Sequence, residues 1–288
     1  MKVIYSILLL LALQCTSAFA QKTILWKVTI PSSQKTSYLL GSFHQMGNSF
    51  VDEKHVIKDL MLASDIVIFE AIEDPRKMIT AVMKARPDDF SYRQHIDSAD
   101  VNFLESYAAN WPVPISKLKP GEMIIKLQQT FVEQNCGTIK PSDTAKHLDN
   151  YLQAIAEMNG KKLLGLERYE DQFKAINIAK DGEFTWNKAN KAVHIWVERL
   201  QKGKDKKSIC RSAKEYMNMK FDYQFDVKCA ENDPMLAVRN EKWMPQLVEH
   251  LSASNAFVVV GLFHLYGDCG IITQLRKKGY EITPVSIK

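Results

Sequence analysis

The sequence predicts an α/β fold: a mostly parallel central sheet flanked by helices, with a large helical insertion. Three observations point there. Apolar runs of strand length stand near both ends of the chain and in its middle, at residues 24–30, 37–40, 65–70, 162–167, 256–260 and 280–285. Long stretches between them carry apolar residues at the three-to-four spacing of helices. Near the start, strand, helix and strand follow one another, an order whose crossover gives parallel neighbours.

Taken in order, residues 24–30 and 37–40 read as strands. The segment between them, Pro-Ser-Ser-Gln-Lys-Thr, has turn composition, so a hairpin is expected. Val56, Leu60 and Ala63 recur at helical spacing, with Asp52 placed to cap them. Residues 65–70 form an apolar strand that ends on Glu70. From 75 to about 140 the pattern is helical, interrupted at Pro87, Pro112, Pro114 and Pro120. Ser142 and Asp143 are placed to cap a helix bearing Leu148, Leu152, Ile155 and Ala156, and Gly160 stops it. Residues 162–167 are a strand that ends on Glu167, and helices resume from about 170 to 251. The chain closes with strand 256–260, a helix over 271–278 stopped by Gly279, and strand 280–285. One domain is expected over 21–288, with helical insertions at about 75–160 and 170–250, because no Gly-Ser or Pro-rich linker divides it.

Residues 1–20 have the form of a secretory signal peptide: Lys2, an apolar run over 4–13, and Ala18-Phe-Ala20 as the cleavage signal. An exported protein, periplasmic or secreted, is therefore expected, with no transmembrane segment after the leader is removed. The formal net charge is +5, and the charges are dispersed. The densest basic run, residues 202–207, lacks interleaved aromatics, which argues against a nucleic-acid surface. Beyond the leader stand Cys136, Cys210, Cys229 and Cys269, an even number that suggests two disulfides in an oxidising compartment. Cys210 and Cys229 flank one helical stretch and are the first choice for a pair, leaving Cys136 with Cys269.

Two heptapeptides echo each other across the chain. Gly41-Ser-Phe-His44-Gln-Met-Gly47 and Gly261-Leu-Phe-His264-Leu-Tyr-Gly267 share Gly-x-Phe-His-x-x-Gly, and each follows an apolar run. A strand that stops at glycine and then presents histidine puts an imidazole at the rim of a sheet. Ligand sites of open α/β sheets lie beyond the carboxyl ends of strands, where His44, Glu70, Glu167 and His264 all fall. Two histidines and a carboxylate can hold a divalent metal and leave positions open for water and substrate. Glu70 is then either the third ligand or the base that accepts the water proton. His55, His95, His147, His194 and His250 share no pattern and read as surface or structural. There is no His-Glu-x-x-His helix, no Gly-x-Ser-x-Gly elbow and no P-loop.

The paired Gly-x-x-His motifs, with a glutamate ending the strand after the first, resemble the TraB/GumN family, whose animal relatives are the Tiki proteases. Asp149-Asn-Tyr-Leu152 followed by Gly165-Leu-Glu167 and Gln172 is similar to the family's middle block. Val238-Arg-Asn240 with Trp243 is similar to its Arg-Asn helix. The chain departs from many bacterial members in carrying Ser-Phe-His where they carry Thr-Ile-His or similar. The resemblance implies a fold like the erythromycin-esterase and ChaN-like proteins and a metal-dependent hydrolase, a peptidase acting on a peptide or protein. It places His44, Glu70 and His264 at the metal and the chemistry, with Arg239 as a supporting catalytic residue. Zinc, manganese, cobalt and iron all suit such donors. A non-catalytic haem- or ligand-binding protein on the same scaffold is the alternative.

Overall fold

The structure is a computed structural model that describes residues 23–287, except Ser32, Glu73, Lys180, Asp181 and Phe221. The leader expected at 1–20 lies outside the described residues.

The chain begins with strands β1 (Leu25–Thr29) and β2 (Thr36–Ser42), helices α1 (Ser49–Asp52) and α2 (His55–Ala63), and strand β3 (Ile66–Phe69). The first insertion follows as α3 (Pro75–Ala85), α4 (Tyr92–His95), α5 (Ser98–Tyr107), α6 (Pro120–Asn135) and α7 (Leu148–Met158), and it ends at strand β4 (Lys162–Gly165). The second insertion holds α8 (Tyr169–Ile176), the two-residue strands β5 (Ile178–Ala179) and β6 (Gly182–Glu183), α9 (Trp186–Lys202), α10 (Lys206–Ile209), α11 (Arg211–Met217) and α12 (Ala237–Ala253). Strand β7 (Ala256–Gly261), a 3₁₀ turn over Leu262–Leu265, α13 (Ile271–Lys277) and β8 (Glu281–Val285) complete the fold.

The main sheet has six strands in the order β4-β3-β7-β2-β1-β8. The pairs β4–β3, β3–β7 and β7–β2 are parallel, and β1 runs antiparallel to both β2 and β8. The α/β class with a mostly parallel sheet and helical insertions is thus the observed one. The expected hairpin of β1 and β2 is present. The β2-to-β3 crossover does not make sheet neighbours, however, because β7 lies between those strands. Sequence order gives no warning of this. The all-buried Ala-Phe-Val-Val-Val-Gly run of β7 has no polar face to turn to water, so the centre of the sheet is where it is satisfied.

Chain direction on this sheet locates the site. The connections from β2 to β3 and from β3 to β4 travel one way across the sheet, and those from β4 to β7 and β7 to β8 travel the other. With right-handed crossovers the two sets fall on opposite faces. Accordingly α2 packs with α7, and α12 with α13. The loops leaving β2 and β3 therefore turn away from the loop leaving β7 between them, and a crevice opens at its carboxyl end.

The main core covers the sheet and includes Trp26, Phe257, Trp243 and Tyr216. A second cluster forms among the insertion helices, around Phe131, Trp196, Trp186 and Leu104. The disulfides join Cys136 to Cys210 and Cys229 to Cys269, which corrects the expected pairing. Cys136 ends α6 and Cys210 precedes α11, and both are buried in the helical cluster. Between Cys210 and Cys229, Tyr216 of α11 enters the main core. Nearness in sequence is thereby undone.

Two expected caps are also corrected. Helix α2 starts at His55 behind Lys54. Asp52 instead accepts hydrogen bonds from Lys58 (2.8 Å), Tyr151 (2.6 Å) and Asn48 (2.7 Å). Helix α7 starts at Leu148. Asp143 instead accepts from the Ser49 amide at 2.8 Å and the Lys140 amide at 2.6 Å, tying the β2 loop to the approach to α7.

Candidate functional site

The twin motifs sit side by side. Strands β2 and β7 are parallel neighbours, with Gly41 opposite Val260 and Ser42 opposite Gly261, so both histidines leave the same edge of the sheet. Both glycines sit at close approaches. A Cβ at Gly41 would come within 2.8 Å of the Leu262 side chain and 2.9 Å of that of Leu265, so both side chains would have to shift for the 3₁₀ turn to stay packed across β2. A Cβ at Gly261 would stand 3.1 Å from His44 Nε2 and 3.2 Å from Glu70 Oε1. His44 and Glu70 therefore meet above Gly261, whose amide donates to Glu70 Oε1 at 2.7 Å.

His264 closes the group, with Nε2 3.7 Å from Glu70 Oε1. Its ring is buried, lies 4.5 Å from the Trp243 ring, and is fixed by Asn240 Oδ1 at 2.6 Å from Nδ1. Asn240 also donates to the His264 and Cys269 carbonyls at 3.1 and 2.9 Å. Arg239, one residue earlier on α12, is the hub. Its Nη2 donates at 2.6 Å to Glu70 Oε2 and at 2.6 Å to Glu167 Oε1. Its Nε reaches both Glu167 oxygens, and Nη1 lies 3.1 Å from His264 Nε2. Glu167 accepts further from Trp243 Nε1 at 3.2 Å, so its carboxylate is fully enclosed.

The other side of His44 faces α7. Leu148 donates its amide to the His44 carbonyl at 3.1 Å, and Asn48 Oδ1 accepts from the Thr144 and Ala145 amides, both at 2.9 Å. This stitching places Asp149, in the first turn of α7, against His44: Nδ1 and Asp149 Oδ2 form a hydrogen-bonded ion pair. The His147 ring stacks on His44 with centroids 5.4 Å apart. His147 Nδ1 and Asp149 Oδ1 are buried without hydrogen-bond partners.

These neighbours set the charges. Burial works to lower the His44 pKa, but the Asp149 carboxylate, with help from Glu70, raises it to about 9. Burial would lift Asp149, and His44 holds it down at about 2. Burial likewise lifts the Glu70 carboxyl, while the facing histidines, the Arg239 guanidinium and the Gly261 amide bring it below the usual range. Burial pushes His264 down to about 3, so it is neutral at pH 7, and it also lowers His147.

Two cavities meet at His44 and Glu70. One, of about 430 Å³, runs past Arg239 and His264 and is lined by the amides Gln45, Gln128, Gln129 and Gln172. The other, of about 390 Å³, runs past His147 and Asp149.

The residues nominated from sequence, His44, Glu70, His264 and Arg239, are thus brought together, with Glu167 behind them. From sequence alone His147 reads as surface or structural, and Asp149 has no role beyond opening a family block. The available signal was their His-x-Asp spacing at the start of an amphipathic helix, which alone says nothing of His44. The model of the TraB/PrgY/gumN family matches residues 24–284, nearly all of the described chain. No curated protein and no solved structure matches it.

Proposed function

The chain belongs to the TraB/PrgY/gumN family, and on that premise we propose that it is an exported, metal-dependent hydrolase that cuts peptide amides. One observation carries the reading: His44 Nε2 and Glu70 Oε1 converge above Gly261, with a neutral His264 and the Arg239 guanidinium across from them.

The chain's own groups divide the work. Asp149 fixes the His44 ring through Nδ1, leaving Nε2 turned toward the cavity side of Gly261. A water between His44 Nε2 and Glu70 Oε1 is the nucleophile, and Glu70, ionised at neutral pH, accepts its proton. Arg239, with Nη1 beside His264, supplies positive charge for the oxyanion that develops on the carbonyl. Glutamine amides along the larger cavity offer donor and acceptor in one plane, which suits a peptide backbone.

The donors fit a divalent cation. His44, His147 and the Asp149 carboxylate form one close group, and buried polar atoms of His147 and Asp149 lack partners. His44 would be the common ligand of any such site. When bound, a cation of this kind lowers the pKa of its water and polarises a carbonyl. A haem carrier has less support, because both His264 nitrogens are engaged, Nδ1 with Asn240 and Nε2 with Arg239. Export rests on the leader-like residues 1–20 and on two disulfides, which persist in oxidising compartments. Among the described residues no helix is long and apolar enough to cross a membrane.

The test is unbiased cleavage of a proteome-derived peptide library with manganese, zinc or cobalt added in turn, new termini being read by mass spectrometry. The parent protein is expected to generate products, and folded His44→Ala and Glu70→Gln to lose them by at least about a hundredfold. Equal products from all three would mean that this site does not hydrolyse peptides.

A further inference from the structure

We infer that the divalent cation is held by His44, His147 and Asp149, at the junction of the β2 loop with the first turn of α7, and not by His44 with Glu70 and His264. One ligand atom from each of these three residues lies within 4.8 Å of the others. Nitrogen and oxygen ligands about 2.0–2.2 Å from a shared cation stand roughly 3–4 Å apart, a spacing inside that limit once His44 Nδ1 and Asp149 Oδ2 part from their hydrogen bond.

Two further observations separate this triplet from the motif residues. First, His147 Nδ1 and Asp149 Oδ1 are buried yet lack hydrogen-bond partners. Buried polar groups are almost always satisfied, and two orphans of ligand type within one such triplet mark a place for an absent partner. Second, a positive charge already occupies the competing set. Glu70 accepts from Gly261 N and Arg239 Nη2, and His264 Nε2 faces Arg239 Nη1 at 3.1 Å. A cation placed there would stand against a guanidinium. On the α7 side no arginine or lysine bonds to the three ligands among the described residues, and their 390 Å³ cavity leaves room for water and substrate beside Glu70. The cation replaces the proton now shared by His44 Nδ1 and Asp149 Oδ2, and that proton leaves to solvent. Glu70 is thereby left as the base next to the metal, with Arg239 and His264 beyond it.

This inference takes from the hydrolase reading only that the ligand is a divalent cation, so the assay reads binding of the metal alone. Titration calorimetry with manganese, zinc and cobalt is expected to give one site per chain. His147→Ala and Asp149→Asn should each weaken it at least tenfold, and His264→Ala should leave it within about threefold. Circular dichroism checks that each variant folds. The unaltered chain, labelled with ¹⁵N-histidine, gives a reading that needs no variant: zinc should shift the His44 and His147 imidazole resonances far more than those of His264. Loss of binding in His264→Ala with retention in His147→Ala, zinc shifts centred on His264, or no binding by the parent would each overturn the assignment. A protein that binds through His147 but cleaves no peptide would sink the hydrolase reading and leave this site standing.

Discussion

Replacing Arg239 by methionine keeps most of the stem volume and removes one buried cation that serves two carboxylates. The side chains involved are nearly enclosed, at 9 % exposure for Arg239, 12 % for Glu70 and 1 % for Glu167. The guanidinium donates at 2.6 Å to each carboxylate, and a second time to Glu167 through Nε at 3.1 Å. Removing one member of a buried pair costs about 3–5 kcal/mol, because the remaining charge stays buried without its partner. Two stranded carboxylates place this variant at the upper end, about 5 kcal/mol. For a chain of this size each kcal/mol moves the melting midpoint by roughly 2–4 °C, so a fall of roughly 10–20 °C is expected. Thermal melts at pH 7, checked by denaturant midpoints, measure it. Adding Glu167→Gln should recover part of the loss, since a neutral amide needs no cation, and the coupling should be roughly 1–3 kcal/mol. If Arg239→Met melted within about 2 °C of the parent, the network would not be a source of stability and the reasoning would fail.

Two other perturbations probe the surroundings. The Cys229–Cys269 bond spans 40 residues and the Cys136–Cys210 bond 74, so chain entropy assigns about 4 kcal/mol to each. Complete reduction should lower the melting midpoint by at least about 10 °C, and an unchanged midpoint would contradict this. The folded pKa of His264 is depressed, to about 3, below the 6.5 of the free side chain. Between those values the unfolded chain binds a proton that the folded chain does not, so stability is complete above about pH 6.5 and declines as pH falls toward 3. The slope contributed by this group approaches 1.4 kcal/mol per pH unit in that window. Denaturant midpoints from pH 7 to 4 should show a shallower acid decline in His264→Asn than in the parent, and identical slopes would mean that the imidazole is not buried neutral.

How much of the site was legible can be judged residue by residue. His44, Glu70, Glu167 and His264 were readable because each closes or follows within a few residues an apolar run. Period-two strands of one direction in a parallel sheet deliver their next residues to a common edge. The echo of Gly41-x-Phe-His44 in Gly261-x-Phe-His264 holds for the same reason, the two being neighbouring strands in near register. Arg239 was reached through resemblance to a family block. Spacing alone would have left it an ordinary ion pair on a helix.

The amino-acid order by itself determined the α/β class, the strand ends that bear the histidines and glutamates, and the presence of four cysteines beyond residue 20. These are local properties, set by side-chain periodicity and composition over a few residues. Tertiary structure alone decided that β7 enters between β2 and β3, that Cys136 meets Cys210, and that Arg239 occupies Glu70 and Glu167. It also decided that His147 and Asp149 stand beside His44, about 105 residues away in the chain, with polar atoms left unbonded. Whether a lone pair is free depends on every group that folding brings within about 3 Å of it, and those groups come from separate helices whose packing no local pattern encodes.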